Sequence, residues 1–149
     1  MRKRGFTEEL TGGINNPLGD AYNYSGPMLW SLDFIHDAAD KPDKILAAID
    51  SVIGGLQAKT LPQDALDRAL VKIRARRYRA YGQFGGFGKA DALASFALFD
   101  DNPELINRIE GDLLRVTPAL IQKVAGEWLR QSNRTVIILE AGAGAKGGK

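Results

Sequence analysis

The sequence predicts an α+β domain, and three observations predict it. An apolar alternation follows Gly26-Pro27, a long block of helical periodicity begins at Pro42, and a β-branched run closes the ordered pattern at Arg134 to Leu139. Strands at both ends of a helical block imply helices packed on one face of a mainly antiparallel sheet, a two-layer arrangement.

The first segment, Met1 to Ser25, is basic at its start and then rich in Gly, Asn and Tyr. Thr7 to Ile14 reads as a strand weakened by Gly12-Gly13. Asn16-Pro17 and Gly19-Asp20 are turn signals, because Pro fixes φ while Gly and Asn tolerate positive φ. In the next strand Met28, Trp30, Leu32 and Phe34 share one face. Leu29, Ser31, Asp33 and Ile35 share the other, so one face is strongly apolar and the other mixed.

From Pro42 the period becomes helical. Ile45, Leu46, Ile49, Val52, Ile53 and Leu56 form an amphipathic stripe, with Pro42 suited to the first turn. A second helix starts near Leu61-Pro62, carries Leu66, Ala69, Leu70 and Ile73 inward, and runs to about Tyr81. A glycine-rich break, Gly82 to Gly88, separates it from helices over Ala90 to Phe99, Pro103 to Leu114 and Pro118 to Leu129. Thr117 is placed as N-cap of the last, with Pro118 at its first position. Arg134 to Leu139 reads as a buried strand. Residues 141–149 form a Gly/Ala/Lys tail expected to be mobile. The predicted order is β-β-α-α-α-α-α-β without an internal repeat.

The chain of 149 residues fits one domain on a prior of roughly 150 residues each. Twenty basic residues against eighteen acidic ones leave only +2, too small a surplus to signal nucleic-acid binding. With no Cys, thiolate zinc sites, disulfides and cysteine nucleophiles are excluded. With one His, a two- or three-histidine metal site within this chain is excluded too. No apolar run approaches the roughly 18–20 residues that span a bilayer, and no signal peptide opens the sequence.

Four features carry candidate chemistry. His36 beside Asp37 could be a general base with its orienting carboxylate, but neighbours on a strand face opposite ways, which favours a structural or surface histidine. Gly85-Gly86-Phe87-Gly88-Lys89 resembles the end of a phosphate loop. Ala90 stands where that loop needs a hydroxyl, and a helix rather than a strand leads in, so a helix–helix connection fits better. Arg68, Lys72, Arg74, Arg76, Arg77 and Arg79 could meet nucleic acid or an acidic peptide. They spread around their helix, however, as a solvated or partner-facing surface would. Asp100, Asp101 and Glu104 suit a helix start, where carboxylates meet the positive end of the dipole.

Several stretches together resemble the C-terminal, non-zinc-binding half of the pitrilysin/insulinase-type zinc peptidases. They are Lys3-Arg4-Gly5-Phe6; Asn23-Tyr24-Ser25-Gly26-Pro27 leading into a strand; the Ile45-to-Leu56 helix; Leu61 to Ala69; Thr117-Pro118; and Arg134 to Glu140 as a closing strand. The resemblance covers nearly all of residues 1–140, the expected domain, and leaves 141–149 as its tail. It implies a pair of α+β halves closing around a peptide, with zinc held by His-x-x-Glu-His and a distal Glu in the other half. Here residues 36–40 read His-Asp-Ala-Ala-Asp, so the zinc is implied only for a partner half.

The family's C-terminal half also contributes an Arg, and a Tyr seven residues later, to substrate contact. Alignment on Arg4-Gly5 puts Met1 and Glu8 at those positions, and a shift by one puts Arg2 and Glu9 there. Neither register supplies the Tyr, and Tyr22 and Tyr24 are the nearest alternatives. No catalytic, cofactor-binding or metal residue is therefore assigned. Family halves are longer, so the resemblance implies that the opening strand and long helix are missing and a sheet edge is exposed. The expected function is an inactive domain or fragment of a zinc metallopeptidase that binds substrate or partner. Its partners would be an N-terminal peptidase half or subunit, a peptide, or a second copy through the exposed edge, with no nucleic acid and no membrane. The alternatives are a non-catalytic subunit of a heteromeric zinc endopeptidase and a basic nucleic-acid-binding module. The composition leads one to expect a soluble protein; the compartment is open, with a bacterial cytoplasm or periplasm implied by the resemblance.

Overall fold

The computed structural model describes residues 5–7, 10–15, 22, 24–82 and 88–139. The architecture is α+β and mostly helical. Strands β1 (Thr11–Ile14) and β2 (Trp30–Asp33) precede helices α1 (Pro42–Ala58), α2 (Gln63–Tyr81), α3 (Gly88–Asp100), α4 (Ile109–Leu114) and α5 (Pro118–Trp128). Two 3-10 turns, Pro103–Asn107 and Gln131–Asn133, flank the last two helices. The 141–149 tail lies outside the described residues.

The sheet is one antiparallel pair, with Thr11 opposite Asp33 and Ile14 opposite Trp30. The expected first strand shortens to its last four residues, and Gly12 packs closely against Leu32 within it. A Cβ there would sit 3.1 Å from the Leu32 side chain, so glycine leaves room for Leu32 to lie across the strand. Asn15 ends β1 with φ of +58°, a left-handed conformation that Asn tolerates better than most residues. Fully buried, it bonds Leu29 twice: its N–H donates to the Leu29 carbonyl at 2.7 Å, and its Oδ1 accepts the Leu29 N–H at 3.1 Å.

The core lies between helices. Among the described residues its apolar members are Ile45 and Ala48 of α1, Leu66 of α2, Phe96 of α3, Ile109 of α4 and Ala125 of α5. Helix α1 packs on α5, and α2 packs on α3. The most buried residue of α5 is an alanine, as is one of the two on α1. Small side chains allow close backbone approach, and polar bonds then span the seam. Gln57 Nε2 donates to the Ala125 and Leu129 carbonyls at 3.1 and 3.0 Å. Gln122 Nε2 returns a bond to the Gln57 carbonyl at 2.9 Å. Leu129 closes α5, so Gln57 satisfies a carbonyl that the helix itself leaves without a partner.

Three sequence expectations change. Val52, Ala69 and Ile73 are exposed rather than inward, because each stripe is wider than the neighbour it meets. The helix expected over Pro103 to Leu114 divides at Arg108: Asn102 Oδ1 accepts the Glu104 N–H, the first turn winds with 3-10 bonds, and α4 then turns Ile109 inward. The expected closing strand forms no ladder: Arg134 is extended, and residues 135–139 carry no regular secondary structure. Residues 134–139 pair with neither β1 nor β2, and all six are exposed. The local β preference of Thr135-Val136-Ile137-Ile138 is intact; what is absent is a neighbouring strand to complete the hydrogen bonds.

Leu66, 2% exposed, and Val71, 62% exposed, test which face of α2 is interior. Leu66→Ala is expected to cost about 2–5 kcal/mol by leaving a cavity, and Val71→Ala less than about 0.5 kcal/mol. Urea unfolding followed by circular dichroism measures both. Gln57→Ala is expected to cost about 1–3 kcal/mol, since it strands the Leu129 carbonyl at a partly buried seam.

Candidate interaction surface

His36 follows β2 and is half-buried, its ring 6.4 Å from that of Phe34. Its Nδ1 lies 2.8 Å from the backbone carbonyl of Asp37, not from the carboxylate. That carboxylate instead accepts the Ala39 N–H at 2.8 Å and shapes the turn before α1. The two side chains therefore do not form a base with its orienting carboxylate.

Of the glycine-rich loop, residues 83–87 lie outside the described set. Gly88 begins α3 with φ of +31°, and a Cβ on it would meet the Ala80 carbonyl at 3.1 Å. This glycine serves close packing against the end of α2, while Lys89 and Ala90 face solvent.

The acidic trio is not gathered at one helix start. Asp100 is the last residue of α3, Asp101 takes the left-handed stop position with φ of +52°, and only Glu104 occupies a first turn. Asn102 performs the capping.

The cations of α2 are divided among separate tasks. Arg68 pairs with Asp64 at 2.6 Å, Arg74 reaches Glu110 of α4 at 2.5 Å, and Arg77 donates to the Tyr22 hydroxyl at 2.8 Å. The Arg77 guanidinium also lies 5.2 Å from the centre of the Tyr22 ring, which itself stands 5.5 Å from Phe96. Tyr22 thereby ties the N-terminal segment to α2 and α3. Lys72, Arg76 and Arg79 remain exposed. Met1, Arg2, Glu8 and Glu9, at the two family registers, lie outside the described residues.

Two small clefts lie among the described residues. The cleft between α2 and α4, lined by Leu70, Val71, Arg74 and Leu113 among others, encloses about 180 Å³. A second, beside Leu93 and Ile106, encloses about 270 Å³. Both fall below the roughly 300–1,000 Å³ of ordinary ligand pockets. Among the described residues no group of three His, Asp or Glu could hold a metal ion. In the same residues no helix is long and apolar enough to cross a membrane.

What the structure does present is apolar surface around β2 and on the unpaired closing segment. Leu29 is 64% exposed and Ile35 90%, on either side of β2, with Met28 and Trp30 about half exposed. In the closing segment Ile137 is 80% and Leu139 90% exposed. The segment's root is fixed: Arg134 bonds Asp50 of α1 at 2.5 Å, Gln131 bonds the same carboxylate at 2.8 Å, and Asn133 bonds the Trp128 carbonyl at 3.0 Å. Sequence reasoning identified both stretches as strands. It took the second to be buried, and periodicity holds no signal for the number of neighbours a strand will find.

Comparison with protein-family models, curated proteins and solved structures gives no match.

The Arg68 guanidinium, by hydrogen bond and charge, holds the Asp64 carboxyl below its ordinary range. A depressed carboxyl contributes stability above its unfolded pKa of about 3.9 and loses it as pH falls through the folded value. Arg68→Ala is expected to return the Asp64 titration, followed by carboxyl NMR, to the ordinary range. Both side chains are exposed, so the melting temperature at neutral pH should hardly move.

Proposed function

We propose that this chain is a non-catalytic binding domain, of the kind represented by the C-terminal half of the pitrilysin/insulinase-type zinc peptidases, and that it holds a partner chain or peptide without performing chemistry itself. The observation that carries the reading is the closing segment: β-prone, apolar, exposed and without a ladder. Apolar, β-prone chain outside a sheet is the material of strand addition. The resemblance in order and spacing of Lys3-Arg4-Gly5, Tyr24 to Pro27, Leu61 to Ala69 and Thr117-Pro118 supports the family part. The two-layer arrangement belongs to the same reading: further strands beside β1 and β2 would give the helices a sheet face to cover.

A second reading keeps the chain within an enzyme. One histidine and no cysteine leave hydrolytic zinc to another polypeptide, so the domain would serve as the accessory subunit of a heteromeric endopeptidase. The basic nucleic-acid reading has less support, because Arg68, Arg74 and Arg77 are each engaged within the chain.

The purified chain, supplied with zinc, is expected to leave a mixed peptide substrate intact. Chelator-sensitive hydrolysis that survives His36→Ala overturns the non-catalytic reading. Co-expression with a chain carrying His-x-x-Glu-His tests the second reading: at least about a tenfold gain in peptidase rate over that partner alone supports it, and no gain rejects it.

A further inference from the structure

We propose that residues 135–139 are a strand exchanged between two copies of this chain, each copy's segment adding to the free edge of β2 in the other. The inference deepens the binding reading above by naming the partner, and it does not depend on the peptidase resemblance.

Two incomplete β elements occur in the one chain. The sheet has two strands, fewer than an independently stable sheet needs. One edge of β2 is occupied by β1, and among the described residues the other carries no strand. The closing segment is the converse, a strand without a sheet. It is rich in β-branched residues, and its amides and carbonyls enter no ladder. Its root is held on α1 and α5 by the bonds from Arg134, Gln131 and Asn133 rather than on the hairpin. It therefore leaves the helices at a defined place, and the ordering entropy of that root is already spent.

An unrelated partner would have to supply both a strand and an edge. A second copy supplies both at once, because what each chain lacks the other carries. Reciprocal exchange about a two-fold axis supplies a strand to each copy's edge of β2 and closes the assembly at two copies.

The surface available is sufficient. Met28, Leu29, Trp30 and Ile35 around β2, with Val136 to Leu139, are each between about two-fifths and nine-tenths exposed. At on the order of 100 Å² apiece these eight residues offer about 800 Å² per copy, matching the roughly 800 Å² per partner in a standard stable interface. Strand addition contributes backbone hydrogen bonds beyond that apolar area. A three-stranded sheet in each half of the dimer would also cover the Trp30 edge.

The test uses the full chain. Sedimentation equilibrium at tens of micromolar is expected to give twice the 16.2 kDa chain mass. Ile137→Pro removes one backbone donor and fixes φ where a strand needs neither change. Because Ile137 is mostly exposed, this variant should keep the helical circular dichroism while sedimenting as a monomer. Position and partner are read separately. The natural chain lacks cysteine, so Asp33→Cys and Ile137→Cys variants, mixed and treated with a short bis-maleimide, should cross-link to one another more than either does to itself. A monomeric natural chain, a dimer indifferent to Ile137→Pro, or preferential self-linking of the Ile137→Cys variant each overturns the exchange. None of these outcomes bears on whether the chain hydrolyses peptides, which the zinc assay decides alone.

Discussion

The seam between α1 and α5 is the constraint on which the remaining structure depends. These helices lie far apart in sequence, and joining them closes a loop of about 60 residues, whose entropy cost grows only slowly with length but must still be overcome. Small buried residues, Ala48 and Ala125, permit the approach, and Gln57 and Gln122 lock it with three hydrogen bonds to backbone carbonyls. Asp50 extends the seam by holding Gln131 and Arg134 beyond the end of α5. Gln131 and Arg134, beyond Trp128, are held on α1 through these bonds. The closing segment is therefore presented from a fixed root.

The core that the helices build is thin. One or two buried apolar side chains per helix are enough to order each against a neighbour, but not to cover the hydrophobic face each one carries. Ile73, Leu98, Leu114 and Trp128 all remain substantially exposed. Ion pairs such as Arg74–Glu110 reinforce α2 against α4, yet exposed pairs of this kind contribute at most about 1 kcal/mol. Large exposed apolar area normally marks a contact surface. The same thinness that limits stability leaves the hairpin and the closing segment available to another chain.

Legibility in the sequence followed the range of the interaction. The α5 start was readable because Thr117 caps Leu120 three residues away and Pro118 needs no donor; the structure has both. The first turn of α1 was readable for the same reason at Pro42. The division at Arg108 was not, since it depends on Asn102 capping and on Ile109 finding an interior place. The acidic residues were expected at a helix start, but a left-handed Asp101 puts Asp100 at the end of the preceding helix instead. The candidate surface was half legible: both extended stretches were identified by alternation and β-branching, while their exposure was not.

Taken alone, the sequence determined the class of each segment, because hydrophobic period, proline position and caps act within a few residues. It also determined that these 149 residues hold no two-histidine or thiolate metal site, since a single histidine and no cysteine are facts of composition. Only the tertiary structure decided which stripe residues lie inside and that His36 and Asp37 serve a turn instead of each other. It alone decided that Arg134 to Leu139, β-prone in sequence, pairs with neither β1 nor β2. Strand pairing needs hydrogen-bond partners from distant chain, and no local pattern encodes whether those partners arrive.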